Sequence, residues 1–387
     1  MAASDARRTN RGRPGLARGL SGLALAAVMA WPCLGWASGG EDPAEPASTE
    51  TALEADVEEA GSRLIVVPYP VVDPAIGSGL LAGPVWMREG PRQGTGPRKP
   101  QAFGAGAIWT DGGTRGVVAF DHRAWGRGTW RTTAVGGSVE LHLEYTGLPG
   151  SDGDDLGFVI KARGASVAAQ RPLGSGSHSV NFSAFSARTE VPFQQQPSRL
   201  DPAQDFGKAT LSGVTLGWSH DTRDDAFLPS SGGIASAKAT LISQALGASV
   251  DYQSLALRWT HYRPAGRGVF GLRGKSDIGF GTPPFYLRPY VSFRGVAALR
   301  YAGERTASLE TEYRHPIRGG WSALAFASAG RAHSDFRGIE RNRSVSAAGV
   351  GVRFRSERLF GLTFGVDVAQ GPDGTVGYVQ IGNAWTD

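Results

Sequence analysis

In the stretch LETEYRHPI, Glu310, Glu312 and Arg314 alternate with Leu309, Thr311 and Tyr313. Carboxylates beside a guanidinium are raw material for acid–base chemistry or for ion pairs. Catalysis needs a partner that the sequence does not offer. Histidines stand at 122, 142, 178, 220, 261, 315 and 333, and none falls in a nucleophile motif with triad order. Asp221, Asp224 and Asp225 crowd one turn, but calcium takes about 6–8 oxygens at defined spacing. No enzyme, metal or cofactor is expected. What remains is charge arranged by a strand: period-two alternation puts one apolar and one ionised face on the same segment.

The same alternation recurs along the chain. In FGLTFGVDVAQ, Leu362, Phe364, Val366 and Val368 share a face opposite Thr363 and Asp367. In AAGVGVRFR, Val350, Val352 and Phe354 oppose Arg353 and Arg355. VFGLRGKSDIGF and LALRWTHY repeat it with Arg273, Lys275, Asp277 and Arg258 on the polar side. A water-soluble sandwich would bury the oily face. Here that face is modest in bulk and present on nearly every strand, and Trp218, Trp321 and Trp385 stand near strand ends, where aromatic girdles lie in membrane barrels. Segments of this length suit the roughly 9–11 residues a tilted strand needs to cross a bilayer. Closure is then required, because hydrocarbon offers no partner to edge N–H and C=O groups. The expectation is all-β: a transmembrane antiparallel β-barrel of about sixteen strands between Arg63 and Trp385. Glu310, Glu312, Arg314, Arg353 and Asp367 should line its wet lumen, with outer-membrane lipids against the other face.

Composition agrees with many strands and turns: 56 Gly, 10 Trp, 9 Tyr and 17 Phe among 387 residues. Residues 1–37 read as a cleavable export signal. Arg7, Arg8, Arg11, Arg13 and Arg18 precede a short apolar core, Leu20 to Ala30, and Gly35 and Ala37 flank the cleavage point. Cys33, the only cysteine, lies inside it, which leaves no thiol for disulfides, thiolate metal sites or nucleophiles. Residues 38–62 carry eight carboxylates and read as a solvated, disordered periplasmic leader. The barrel is expected over 63–387, with QQQPSRLDPAQD and TGLPGSDGDDLG as extracellular loops. The formal charge is +5, but no basic block is interleaved with aromatics, so nucleic acid is not an expected partner.

Three stretches resemble the BamA/TamA superfamily, also called the bacterial surface antigen family. GWSHDTRDDAFLPSSGG resembles its signature turn through Asp221, Arg223, Asp224, Pro229 and Gly232. SFRGV, with Arg294 and Gly295, resembles its lumen-inserted extracellular loop. GYVQIGNAW, with Tyr378, Gly382 and Trp385, resembles its closing strand, although Thr386 and Asp387 follow the terminal aromatic. The resemblance is good over 210–387 and looser before. It implies that Arg294 folds into the lumen and pairs with an Asp on the strand holding Phe326, Ser328 and Gly330. Here Ser328 replaces that acid. Arg294 must then use Ser328, a carbonyl, or Glu310, Glu312 or Asp367. Too few residues precede Arg63 for the POTRA domains of full assembly factors, so the likeness is to the branch without them.

By resemblance, the chain is expected in the outer membrane of a Gram-negative bacterium. There it would assist insertion or translocation of client outer-membrane proteins through a weak first–last strand seam, with or without a periplasmic partner. The competing expectation is a passive pore or solute channel with a charged lumen.

Overall fold

A computed structural model describes residues 62–385, apart from breaks at 74–75, 90–99, 127–128, 147–154, 175–176, 192–206, 226–227, 337–338, 357–361, 373, 382 and 384. The expected signal (1–37), nearly all of the expected leader (38–62), the loop QQQPSRLDPAQD and the middle of TGLPGSDGDDLG (147–154) lie outside the described residues, as does Gly382. Thr146 and Asp155, Leu156 and Gly157, expected in that second loop, belong instead to the flanking strands.

The described chain is all-β. Its strands are β1 (Ser62–Asp73), β2 (Gly77–Glu89), β3 (Pro100–Thr110), β4 (Arg115–Trp125), β5 (Trp130–Thr146), β6 (Asp155–Leu173), β7 (His178–Glu190) and β8 (Lys208–Asp221). The second half continues with β9 (Gly232–Ile242), β10 (Tyr252–Ala265), β11 (Gly268–Gly281), β12 (Arg305–Pro316), β13 (Trp321–Phe336), β14 (Ile339–Ser356), β15 (Leu362–Gly371) and β16 (Gly374–Ile381). They form one sheet in sequence order, each strand antiparallel to the next. Only single turns of 3-10 helix, Gln244–Leu246 and Phe285–Leu287, interrupt the described strands. No described helix is long and apolar enough to cross a membrane, which says nothing about strands.

The sheet curls around an interior. One apolar cluster joins Val71 of β1, Leu81 of β2, Leu141 of β5, Leu211 of β8 and Tyr252 of β10 with Phe285 and Leu299, which lie between β11 and β12. Beyond β16, Trp385 packs on Tyr262 of β10. β1 and β16 approach to within 8 Å between Cα atoms, but no ladder joins them among the described residues.

The two faces sort opposite to those of a soluble protein. Asp367 is fully buried and Glu310 is 2% exposed, whereas Leu216 and Val350 are 62% and 60% exposed. Leu309, Tyr313, Val352, Val366 and Val368 also face outward, while Glu312, Arg314, Arg273 and Arg353 are buried inside. Strand alternation produces this directly, since each residue turns its neighbour to the other side. An exposed band of large apolar side chains around a polar interior is the pattern of a membrane-spanning barrel.

Candidate functional site

The connection between β11 and β12 (282–304) enters this interior. Its first part is held by aromatics. Phe285 meets Phe158 edge-on at 5.0 Å, and the Tyr286 and Thr189 hydroxyls lie 2.6 Å apart. Burial pushes the Tyr286 phenol up to about 12, against the opposing effect of the Thr189 hydrogen bond. The chain then crosses to the opposite wall, where Val291, Phe293 and Val296 pack on Ala332, Val345 and Ala347. Gly330 leaves room for this: a Cβ there would lie 2.5 Å from Val291 Cγ1.

At the tip, Arg294 spreads its guanidinium between two strands. Nη1 donates to Asp367 Oδ2 and Nη2 to Glu312 Oε2, each at 2.8 Å. The guanidinium carbon stands 3.6 Å from the centre of the Phe326 ring. Burial alone would disfavour the Arg294 charge, but Glu312 and Asp367 outweigh it and raise the group above its ordinary value. Asp367 is shared, since Arg353 donates to both of its oxygens. Next to this centre, Arg273 pairs with Glu310 at 3.3 Å. Buried charges persist only when paired and hydrogen-bonded, and these residues form such a set.

Gly295 makes the approach possible. Its φ is +93°, in the left-handed region, and a Cβ would sit 2.8 Å from that of Ala347. Its N–H donates to the Tyr378 hydroxyl on β16 at 2.7 Å. On the facing strand, a Cβ on Gly371 would come within 1.7 Å of the Gly295 carbonyl oxygen, so only a glycine admits the loop there. The tip therefore touches β12, β13, β15 and β16 together.

Three expectations change on this geometry. Ser328 is buried, but its Oγ has no hydrogen-bond partner, and it takes no part in anchoring Arg294. Glu312 and Asp367 serve instead, from strands on either side of β13. Glu310, offered as another partner, is taken by Arg273. Trp385, expected to end the closing strand in an interfacial girdle, lies beyond β16 and is buried against Tyr262. Asn383 turns it inward: its Oδ1 accepts from the Trp385 N–H at 3.0 Å and its Nδ2 donates to the Tyr262 hydroxyl at 2.8 Å. By contrast Trp218 and Trp321 are outward and exposed.

The signature turn between β8 and β9 is built around its acids. Asp221 accepts from Arg223 Nε and Nη2 at 2.9 and 2.6 Å. Asp224 caps the return, accepting from the N–H groups of Ser230 and Ser231 at 2.9 and 3.1 Å. Burial works against its charge, but the Ser230 and Ser231 hydrogen bonds prevail and hold Asp224 below the usual carboxylate range. Gly232, at φ +83°, closes the turn. The turn reaches across the opening: the Pro229 carbonyl accepts from Arg314 of β12, and Asp225 pairs with Arg355 of β14 at 3.0 Å. The resemblance singles out Asp224 and Pro229 only as residues of the turn; the pairing of Asp225 with Arg355 spans 130 residues and leaves no local signal in the sequence. Among the described residues no group of three His, Cys, Asp or Glu side chains could hold a metal ion.

The profile of the Omp85 superfamily domain matches residues 131–366. No curated protein matches the chain in sequence. Among solved structures, the chain is similar to BamA from Haemophilus ducreyi lacking POTRA domains 1–3, at 13% identity and TM-score 0.60, with 84% of this chain and 70% of that one covered. CdiB from Acinetobacter baumannii gives 12% identity and TM-score 0.54 over 87% of this chain and 64% of that one. CdiB from Escherichia coli gives 11% and 0.56 over 84% and 63%. The chain thus spans less than two thirds of the two CdiB chains. At these identities the likeness is one of fold.

Proposed function

Because the chain belongs to the Omp85 superfamily, we propose that it forms a closed sixteen-strand barrel in the outer membrane of a Gram-negative bacterium and assists insertion or translocation of client proteins there. The observation that carries this reading is the Arg294 anchor. A loop inserted into the interior and tied to β12, β15 and β16 couples the lumen to the last strands, where a seam would open.

The seam itself is poorly bonded. Pro68 and Pro70 stand two apart on β1 and both lack an N–H, while β1 keeps its register with β2 through this stretch. Prolines in sheets sit where the N–H side faces away from a partner strand, so the donors are missing from the edge turned toward β16. A passive pore is less well supported, because loop 282–304 and the β8–β9 turn occupy the interior that solute would cross.

The test is to compare outer-membrane protein levels in cells with the native chain, without it, and with Arg294→Ala. A fall in client barrel proteins in both altered strains is expected. Unchanged levels, together with steady single-channel conductance that survives deletion of 282–300, would instead establish a pore.

A further inference from the structure

The outward face of β4 to β8 carries two adjacent rows of polar residues that differ in one respect. In the upper row the strand register aligns Arg115, Glu140, Lys161, Glu190 and Lys208, so every acid lies between two cations. The contacts follow: Arg115 to Glu140 at 3.1 Å, Lys161 to Glu140 at 4.0 Å and Lys208 to Glu190 at 3.8 Å. The next row holds Ser138, Arg163, Arg188 and Thr210. Here two exposed arginines stand directly opposite each other with no acid in the row, a hydroxyl residue on either side, and the neighbouring acids already engaged. Like charges directly opposite on a sheet are destabilising. The repulsion grows next to a low-dielectric medium. Such a pair calls for an anion.

Its depth says which anion. Below the arginines the outward residues of β6 are Ala165, Val167 and Ala169, until Arg171 lies over the Trp130 ring at 5.3 Å. From Arg163 to Arg171 the strand rises about 26 Å at ~3.3 Å per residue. Tilted by ~35–45°, that is about 20 Å of depth, close to the ~25 Å apolar band of outer-membrane barrels. The two arginine levels therefore mark the two edges of the hydrocarbon. The Arg163 level lies on the side of the long connections 191–207 and 282–304, which is the extracellular side in such barrels.

We propose that Arg163 and Arg188 bind the phosphate group of a phosphorylated glycolipid in the extracellular leaflet. Two planar guanidinium forks suit the several oxygens of a phosphate. Ser138 and Thr210 are placed to add hydroxyl donors, and the acyl chains would run down over Val167, Ala184 and Phe182. The proposal rests on the outward face meeting lipid, not on any action upon client proteins.

The experiment is native mass spectrometry of the folded chain in detergent, titrated with a bis-phosphorylated glucosamine-disaccharide lipid and with the same lipid stripped of phosphate. The expected result is at least a tenfold tighter Kd for the phosphorylated form. Arg163→Gln/Arg188→Gln should abolish that preference, either single change should reduce it part-way, and Arg171→Gln should leave it. Heat-modifiable gel mobility reports that each variant is folded. The proposal fails if the double variant keeps the preference, if both lipids bind alike or not at all, or if equimolar inorganic phosphate displaces the lipid. A chain that binds these lipids alike yet inserts stably into vesicles would sink this site and leave the membrane placement standing.

Discussion

At the residue scale, Arg294 joins charge, shape and position. Its fork satisfies two buried carboxylates, and its flat face lies on Phe326. Removing one member of a buried ion pair costs about 3–5 kcal/mol, because the other is left uncompensated. Arg294→Ala should therefore lower the unfolding midpoint in a denaturant titration and strand Glu312, whereas Asp367 keeps Arg353. Arg294→Lys should recover little, since an ammonium offers neither the fork nor the stacking plane. Ser328→Ala is the contrasting case. The hydroxyl makes no hydrogen bond, so its loss should shift stability by no more than about 0.5 kcal/mol or raise it slightly. Sequence showed that the acid expected on β13 was missing, and it named Glu312 and Asp367 among possible substitutes. It could not choose, because Asp367 is 73 residues from Arg294 and only the curl of the sheet brings them together.

At the element scale, loop 282–304 and the β8–β9 turn close the interior from opposite ends. The turn is tuned by acid. Asp224 has a lowered pKa in the folded state, so its stabilisation is present above the ordinary carboxylate pKa and fades as pH falls through the folded value. Unfolding stability measured from pH 6 downward should decline in the acid range in the native chain. In Asp224→Asn the part of that decline due to this residue should be missing. Gly295→Ala tests the loop: strain at positive φ and the clash with Ala347 should unseat the tip and raise protease cleavage within 282–304. Strands were the legible elements, since alternation in LETEYRHPI or GVGVRFR states which side each residue takes. The inward turn of Trp385 was not legible. An aromatic near a chain end reads alike whether it faces lipid or folds inward, and Asn383 bonding to Tyr262 decides it.

At the scale of the whole molecule, polarity is turned inside out: the most buried ion pairs lie within the sheet's curl, and a band of large apolar side chains lies exposed on its outer face. Among the described residues no ladder joins β1 to β16. Restoring N–H groups with Pro68→Val/Pro70→Val should add hydrogen bonds of about 0.5–1.5 kcal/mol each across the seam. The expected result is a higher thermal midpoint with fewer client proteins assembled; a stabler barrel with full client levels would show that the seam does not open in function. The inverted faces are tested most directly by bimane attached to single cysteines at Leu216, Val350 and Val366, and at Ser328 and Thr363, in vesicles of brominated lipid. Strong quenching at the first three and little at the last two is predicted. Equal quenching at all five, or none at Leu216 and Val350, would contradict the placement of lipid against the outer face.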